Sequence, residues 1–427
     1  MSAEESLLTP TAATLSQDPN LPALSPIVPR GLWGIVAAAL ILLPLSSAVS
    51  AVLYLISAGW FLAWRRKHRM PPLPVNARLG YTILAAVAVS AAFSITPALS
   101  FAGLLLTGGY LLVIWVTAGT LDTPDRLWQA LRLIFWGAVI WAALGIVISL
   151  SQFQWTYHSA GVLITLGTGD HRANSIFMHP NILAGYLLLC LGIGLALRTR
   201  AGFGRRMRYN AGLIVILLCQ LLTQSRSGWI GTVVILLLAG ALIDRKILVK
   251  SVLALGVGML FFYNMIWSRL ITLTNSEFGS NLNRTRVWHS AQQMIAERPL
   301  FGFGPGSWTH VYPQFRNPLE WENLQNAHSF YLHMGAEYGL IVLVLLLVLT
   351  LGLVWKTLRE TKGHAQWEAA AVVMACSLAG YLVMGIFEFT FSEGRNSIIF
   401  FIQLGMLVAM QQRVITEKSA ESPATTC

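Results

Sequence analysis

From Gly31 onward the chain is a succession of apolar runs, about 31–46, 48–64, 79–95, 97–118, 132–151, 180–197, 209–223, 228–243, 247–266, 329–355, 366–387 and 396–411. Runs of this length approach the ~20 apolar residues that cross a bilayer as a helix. Of the 427 residues, 55% are hydrophobic and only 11% charged, against about 25% charged in soluble domains, which excludes an ordinary soluble enzyme. The expected fold is therefore an all-α integral membrane protein with about 12 transmembrane helices. The first two runs, separated by Pro44-Leu45-Ser46-Ser47, are either a tight hairpin or one broken helix, so eleven is the fallback.

Residues 1–30 are polar and lack the basic start, apolar stretch and cleavage site of a signal peptide; they read as a disordered cytoplasmic tail. Transmembrane helices 1–9 then occupy 31–266, an extracytoplasmic loop 267–328, helices 10–12 residues 329–411, and a cytoplasmic tail 412–427. This layout puts 21 of the 29 Lys and Arg residues on one side, which the positive-inside rule makes cytoplasmic, together with both termini. The net charge of +11 then belongs to loops, and no nucleic-acid partner is implied. The four Cys have no paired spacing, so neither a disulfide framework nor a zinc site is indicated.

All six Lys fall inside, whereas the outer basic residues are all Arg: Arg172, Arg226, Arg269, Arg284, Arg286, Arg298, Arg316 and Arg395. Arginine presents a planar fork that binds phosphate oxygens bidentately, while lysine is a solvated point charge. Seven His (His158, His171, His179, His289, His310, His328 and His333) also map outward. Polar chemistry is thus concentrated on the extracytoplasmic face, in three segments: 152–179, the link 223–228 and the long loop 267–328. A loop of that length in a compact bundle is functional or disordered. This one places Val287, Ala291, Met294 and Ile295 at helical spacing before Pro299, which predicts an amphipathic helix. The following Gly302-Phe303-Gly304-Pro305-Gly306-Ser307-Trp308 turn resembles a phosphate-cradling loop only superficially, because no Lys-Ser/Thr follows.

Arg226 interrupts two apolar runs, where an arginine near hydrocarbon costs about 2.5–3.5 kcal/mol. A diphosphate would offset that cost; snorkelling to the interface is the alternative. Arg284 precedes the amphipathic helix, where an anion could also meet a helix N-terminus. Arg286, two residues on, points to a different face of that helix and is a weaker candidate, with lipid head groups as its other partner. His328 opens the apolar run at 329, where a neutral imidazole can take a proton from a hydroxyl. His179 and His333 read mainly as structural. The outward carboxylates Asp170, Glu320, Glu322, Glu337, Glu388 and Glu393 are each an alternative base or an orienting group for an arginine. There is no Asp-x-Asp pair, and no metal or other cofactor is expected.

The segments Arg172-Ala173-Asn174-Ser175-Ile176-Phe177-Met178-His179-Pro180-Asn181, Ser225-Arg226-Ser227-Gly228, Arg284 four residues before Trp288, Arg298-Pro299-Leu300-Phe301-Gly302-Phe303-Gly304-Pro305-Gly306, and Asn326-Ala327-His328 with Tyr331-Leu332 together resemble the O-antigen ligase and polymerase superfamily. The resemblance covers about 170–400. It implies a glycosyltransferase C-type membrane enzyme in the bacterial inner membrane that transfers a glycan from undecaprenyl diphosphate on the periplasmic face. By the same resemblance Arg226 and Arg284 would bind the donor diphosphate, Arg172 would sit at the rim of that pocket, and His328 would be the catalytic residue beside the reacting sugar. The superfamily often has Asn after this His; here Ser329 follows, which leaves the orienting partner of His328 open. A ligase acting on lipid A-core, in lipopolysaccharide assembly, is favoured. A polymerase using the same donor is the first alternative, and a secondary transporter linked to inorganic carbon is the less favoured one.

Overall fold

A computed structural model describes residues 27–69, 77–159, 162–167, 171–246, scattered positions between 249 and 267, 279–316, 324–389, 391 and 393–421. The chain runs through α1 (Arg30–Leu42), α2 (Ser47–Lys67), α3 (Ala77–Ala92), α4 (Pro97–Thr120) and α5 (Pro124–Ser151) into a hairpin of β1 (Trp155–Ser159) and β2 (Val162–Leu166). It continues with α6 (Pro180–Arg200), α7 (Phe203–Leu222), α8 (Arg226–Leu242), α9 (Gly279–Glu297), α10 (Trp308–Phe315), α11 (Phe330–Glu337), α12 (Gly339–Thr361), α13 (Glu368–Phe387) and α14 (Gly394–Glu421). Seven of these, α2, α4, α5, α6, α12, α13 and α14, are long and apolar enough to cross a membrane, and α1, α3 and α8 are shorter apolar helices. The chain is accordingly a multi-pass α-helical membrane protein. The expected run 247–266 lies largely outside the described residues, as do residues 1–26 of the expected N-terminal tail.

Several details differ from the hydropathy reading. The first two runs are two helices, with Ser46 capping α2 by accepting from Val49 N and Ser50 Oγ donating to Ala39 O at 2.9 Å. Val28 is buried, with its N–H on Asp122 Oδ2 at 2.6 Å and its carbonyl taking Arg126 Nη2 at 2.8 Å. Val28, ahead of the first apolar run, is therefore tied to the bundle. At the other end α14 continues to Glu421, past the expected end of its span. The outer segment 152–179 is not simply loop: β1 and β2 pair antiparallel from Trp155↔Leu166 to Ser159↔Val162.

The run 329–355 is broken into α11 and α12 at Tyr338-Gly339. Gly339 has φ +82°, and a Cβ there would lie 2.2 Å from Leu300 O. Only glycine combines that left-handed backbone with so close an approach. The break lets the turn after α9 dock into the bundle: Phe303 N donates to Ala336 O at 3.0 Å, Gly304 N to Glu337 O at 2.8 Å, and Leu340 N to Pro299 O at 2.8 Å.

Around these elements the packing has two centres. In the bundle, α6 is apolar on all sides because protein surrounds it; residues Leu183 to Leu197 are all buried. Gly231 of α8 and Gly380 of α13 bring their backbones together, each ideal Cβ falling within 2.7 Å of the other's carbonyl oxygen, the small-residue contact that drives helix association in membranes. The second centre lies between α8 and α12 in sequence, where Val287, Ala291 and Met294 of α9 close on Phe303, Trp308, Val311, Tyr312, Ala327 and Ala336. That is the apolar face predicted for the amphipathic helix.

Candidate active site

Segments far apart in the sequence converge on one carboxylate. Glu388 follows the last residue of α13 and is buried. One oxygen, Oε1, lies 3.1 Å from His328 Nδ1. The other, Oε2, accepts from Arg284 Nη2 at 3.2 Å and from Asn181 Nδ2 in a shorter contact. Asn181 stands in the first turn of α6, and its Oδ1 accepts from Arg172 Nη2 at 3.3 Å. Arg172 Nε donates to Thr223 O at 3.0 Å, and Ala173 N to Leu222 O at 2.8 Å, which ties the loop before α6 to the link before α8. Arg226 is the first residue of that helix, behind the Ser225 cap.

Four of the sequence candidates thus meet in one network: Arg172, Arg284 and His328 through Glu388 and Asn181, and His179 through the α6 cap, where its Nδ1 accepts from Asn181 N at 3.2 Å. Arg226 stands three residues after Thr223, whose carbonyl Arg172 binds. Arg286 is half-buried on α9, two residues beyond Arg284, while the ion pairs to Glu388 are those of Arg284 and His328. Of the carboxylates considered from the sequence, Glu388 is, among the described residues, the one that holds His328. Nothing local in the sequence marks it out, since its partners lie 60 and 104 residues away.

The loops that present these groups are held in conformations that ordinary residues seldom adopt. His171 (φ 59°), Ser175 (φ 53°), Gln224 (φ 52°) and His328 (φ 46°) are all left-handed. Such strain, worth about 1–3 kcal/mol per residue, persists where surrounding contacts over-determine it, and it clusters at functional sites. The contacts are present. His328 N donates to Asn326 Oδ1 at 2.9 Å and Ser329 caps α11. At the start of α14, Arg395 Nη1 donates to Ile176 O and Asn396 Nδ2 to Ile182 O, both at 3.0 Å.

Electrostatics fixes the protonation state of Glu388. Burial alone would raise the Glu388 pKa, but the hydrogen bond and charge of His328, with Arg284 and His179, outweigh it and hold the carboxyl down from 4.5 to about 2. Glu388 is an anion at neutral pH. When the imidazole is uncharged and donates Nδ1–H to that anion, its Nε2 lone pair is left as an acceptor, the tautomer that a general base needs. Since the folded value lies below the unfolded one, the stabilisation is complete above pH ~4.5 and is lost as pH falls toward 2, roughly 3 kcal/mol in all. Acid titration of the detergent-solubilised protein should lower its apparent melting temperature through this window, and Glu388→Gln should flatten the decline; an unchanged acid profile in the variant would refute the assignment.

A second carboxylate shows what the glycine-rich turn does. Glu337, at the end of α11, accepts from Gly306 N at 3.0 Å and Trp308 N at 2.7 Å and pairs with His333 Nε2 at 3.4 Å. The turn does cradle an anion, and that anion belongs to the protein. Sequence reasoning rejected a phosphate loop here but had no signal for Glu337 as its occupant.

No curated protein matches the chain. Residues 211–347, a stretch that holds Arg226, Arg284 and His328 and ends before Glu388, match the family model described as O-antigen ligase and support the O-antigen ligase superfamily for this chain.

Proposed function

We propose that the protein is an O-antigen ligase: it transfers a polysaccharide from undecaprenyl diphosphate to a hydroxyl of lipid A-core on the periplasmic face of the bacterial inner membrane. Both termini then lie in the cytoplasm. The observation that carries this reading is the His328–Glu388–Arg284 arrangement, a base-competent imidazole and a phosphate-binding guanidinium fixed on one buried carboxylate.

In the step itself the acceptor oxygen attacks the anomeric carbon, its proton passes to His328 Nε2, and the bond from that carbon to the diphosphate breaks. A single displacement of this kind inverts the anomeric centre. Arg284 spends one of its five N–H donors on Glu388, which leaves the rest of the fork for the diphosphate. Arg226, with Arg172 at the rim, supplies further positive charge where the leaving group gains negative charge, the kind of preorganised electrostatics that dominates many enzymes. Neutralisation by arginines leaves no step that needs a metal. Arg286 fits a peripheral contact with lipid head groups, and His179 fits its capping role.

The decisive assay is transfer from a lipid-linked undecaprenyl diphosphate glycan to lipid A-core by purified protein with EDTA present, beside Arg226→Ala. Product from the parent and a loss of about 10²-fold or more in the variant, the scale of removing one transition-state charge donor, is the expected outcome. Donor binding without product on lipid A-core, but with chain extension of the donor, would instead make the protein a polymerase. Failure to bind the donor at all would sink the reading and restore the transporter.

A further inference from the structure

The bundle contains a cavity of about 460 Å3 whose wall is one face of α4. Leu99, Ala102, Leu106, Thr107, Tyr110 and Leu111 line it at helical spacing, so it runs for about 18 Å along the helix axis at ~1.5 Å per residue. It is long and narrow. Val342 and Leu346 of α12 and Phe401 of α14 form the facing side. Leu99 and Leu106 are also 45% and 58% exposed on the outside of the bundle, so the wall reaches the surface that a bilayer covers.

The end nearest the outer loop is polar. Glu337, His333, Thr309 and Gln325 line it. His333 is 5% exposed, stacks on Phe389 at 3.9 Å, and uses Nε2 on Glu337, while its Nδ1 is buried with no hydrogen-bond partner. A buried ring nitrogen of this kind costs free energy unless something bonds to it. Among the described residues no Arg or Lys lines the cavity, and a carboxylate does, so a phosphate head would be repelled. The diphosphate site built on Arg172, Arg226 and Arg284 has the opposite charge.

We propose that this cavity binds a lipid by one hydrocarbon chain, with an uncharged hydroxyl-bearing head hydrogen-bonded to His333 Nδ1. The chain enters sideways from the membrane past Leu99 and Leu106, and the head stops at the level of α11, on the helix that His328 precedes. The occupant is a glycolipid-type amphiphile distinct from the anionic undecaprenyl donor, and its binding does not depend on the transfer reaction.

The test uses the full-length protein in phosphatidylcholine nanodiscs with a dodecyl glucoside carrying a mid-chain diazirine, photolysed and mapped by mass spectrometry. Labelling should concentrate on Leu99–Leu111 and Val342–Leu346. Unlabelled dodecyl glucoside should compete about tenfold better than either dodecyl phosphate or undecaprenyl phosphate, a difference of ~1.4 kcal/mol. Ala102→Trp and, separately, Leu106→Trp fill the cavity from its exposed wall, where folding tolerates a larger side chain, and should each reduce labelling on this face several-fold without changing it elsewhere on the bundle. Uniform labelling around the bundle, or labelling indifferent to both substitutions, overturns the site. Equal or better competition by undecaprenyl phosphate overturns the choice of occupant and gives the cavity to the donor chain.

Discussion

His328→Ala should lower glycan transfer by roughly 10²–10⁴-fold, the range that a positioned general base contributes, with donor binding retained. The loss should appear in kcat rather than KM, since in the proposed step the imidazole takes the acceptor proton and the diphosphate is held by the arginines. Folding should survive, because the His328 side chain is one-third exposed and Glu388 keeps Arg284 and Asn181 when it is removed. His328→Asn is the sharper control: asparagine tolerates the left-handed backbone at φ 46° yet supplies no base. Glu388→Gln should reduce kcat by a smaller factor, because it removes the anion that selects the imidazole tautomer while leaving an amide in its place. If His328→Ala retained full transfer while Arg226→Ala lost donor binding, the base would be misassigned and the donor site right.

Where sequence and structure agree, the information is local. Val287, Ala291 and Met294 recur at helical spacing, and all three are fully buried on α9, which ends at Glu297 just ahead of Pro299. Periodicity encodes which face is apolar, and a proline encodes where the helix stops. Arg172 and Arg284 could be picked out as candidates because their chemistry is intrinsic to the residue type, and both join the network around Glu388. What is not local was not legible. Glu388 was one of several candidate carboxylates, and only the fold brings it to His328 and Arg284. Asn181, the bridge from Arg172 to Glu388, lies within a recognised motif, yet nothing about an asparagine announces a role as connector. The break at Gly339 sits inside a run whose hydropathy is continuous; it is imposed by Leu300, 39 positions earlier in the chain.

Glu337→Ala should be the most destabilising substitution in the outer region. Burial pushes the pKa of this carboxyl up, but the charge and hydrogen bond of His333 and the two backbone N–H donors of Gly306 and Trp308 outweigh it, so Glu337 is held below its ordinary value and is an anion when folded. Removing one side of a buried pair costs about 3–5 kcal/mol, because the remaining groups stay buried without partners. Here they are His333 and the amides of the turn that docks α9 and α10 onto the bundle. The variant should melt at lower temperature and be cut by trypsin at Arg316 under conditions where the parent resists. Transfer should fall as well, although Glu337 is not placed at the reacting atoms, because α11 carries both Glu337 and the cap that positions His328. Gly339→Ala attacks the same docking from the other side, through Leu300 O. The two substitutions share one contact surface, so their combined cost should be less than the sum of the single costs. Strict additivity in melting and trypsin resistance would show that the turn and the helix break are independent.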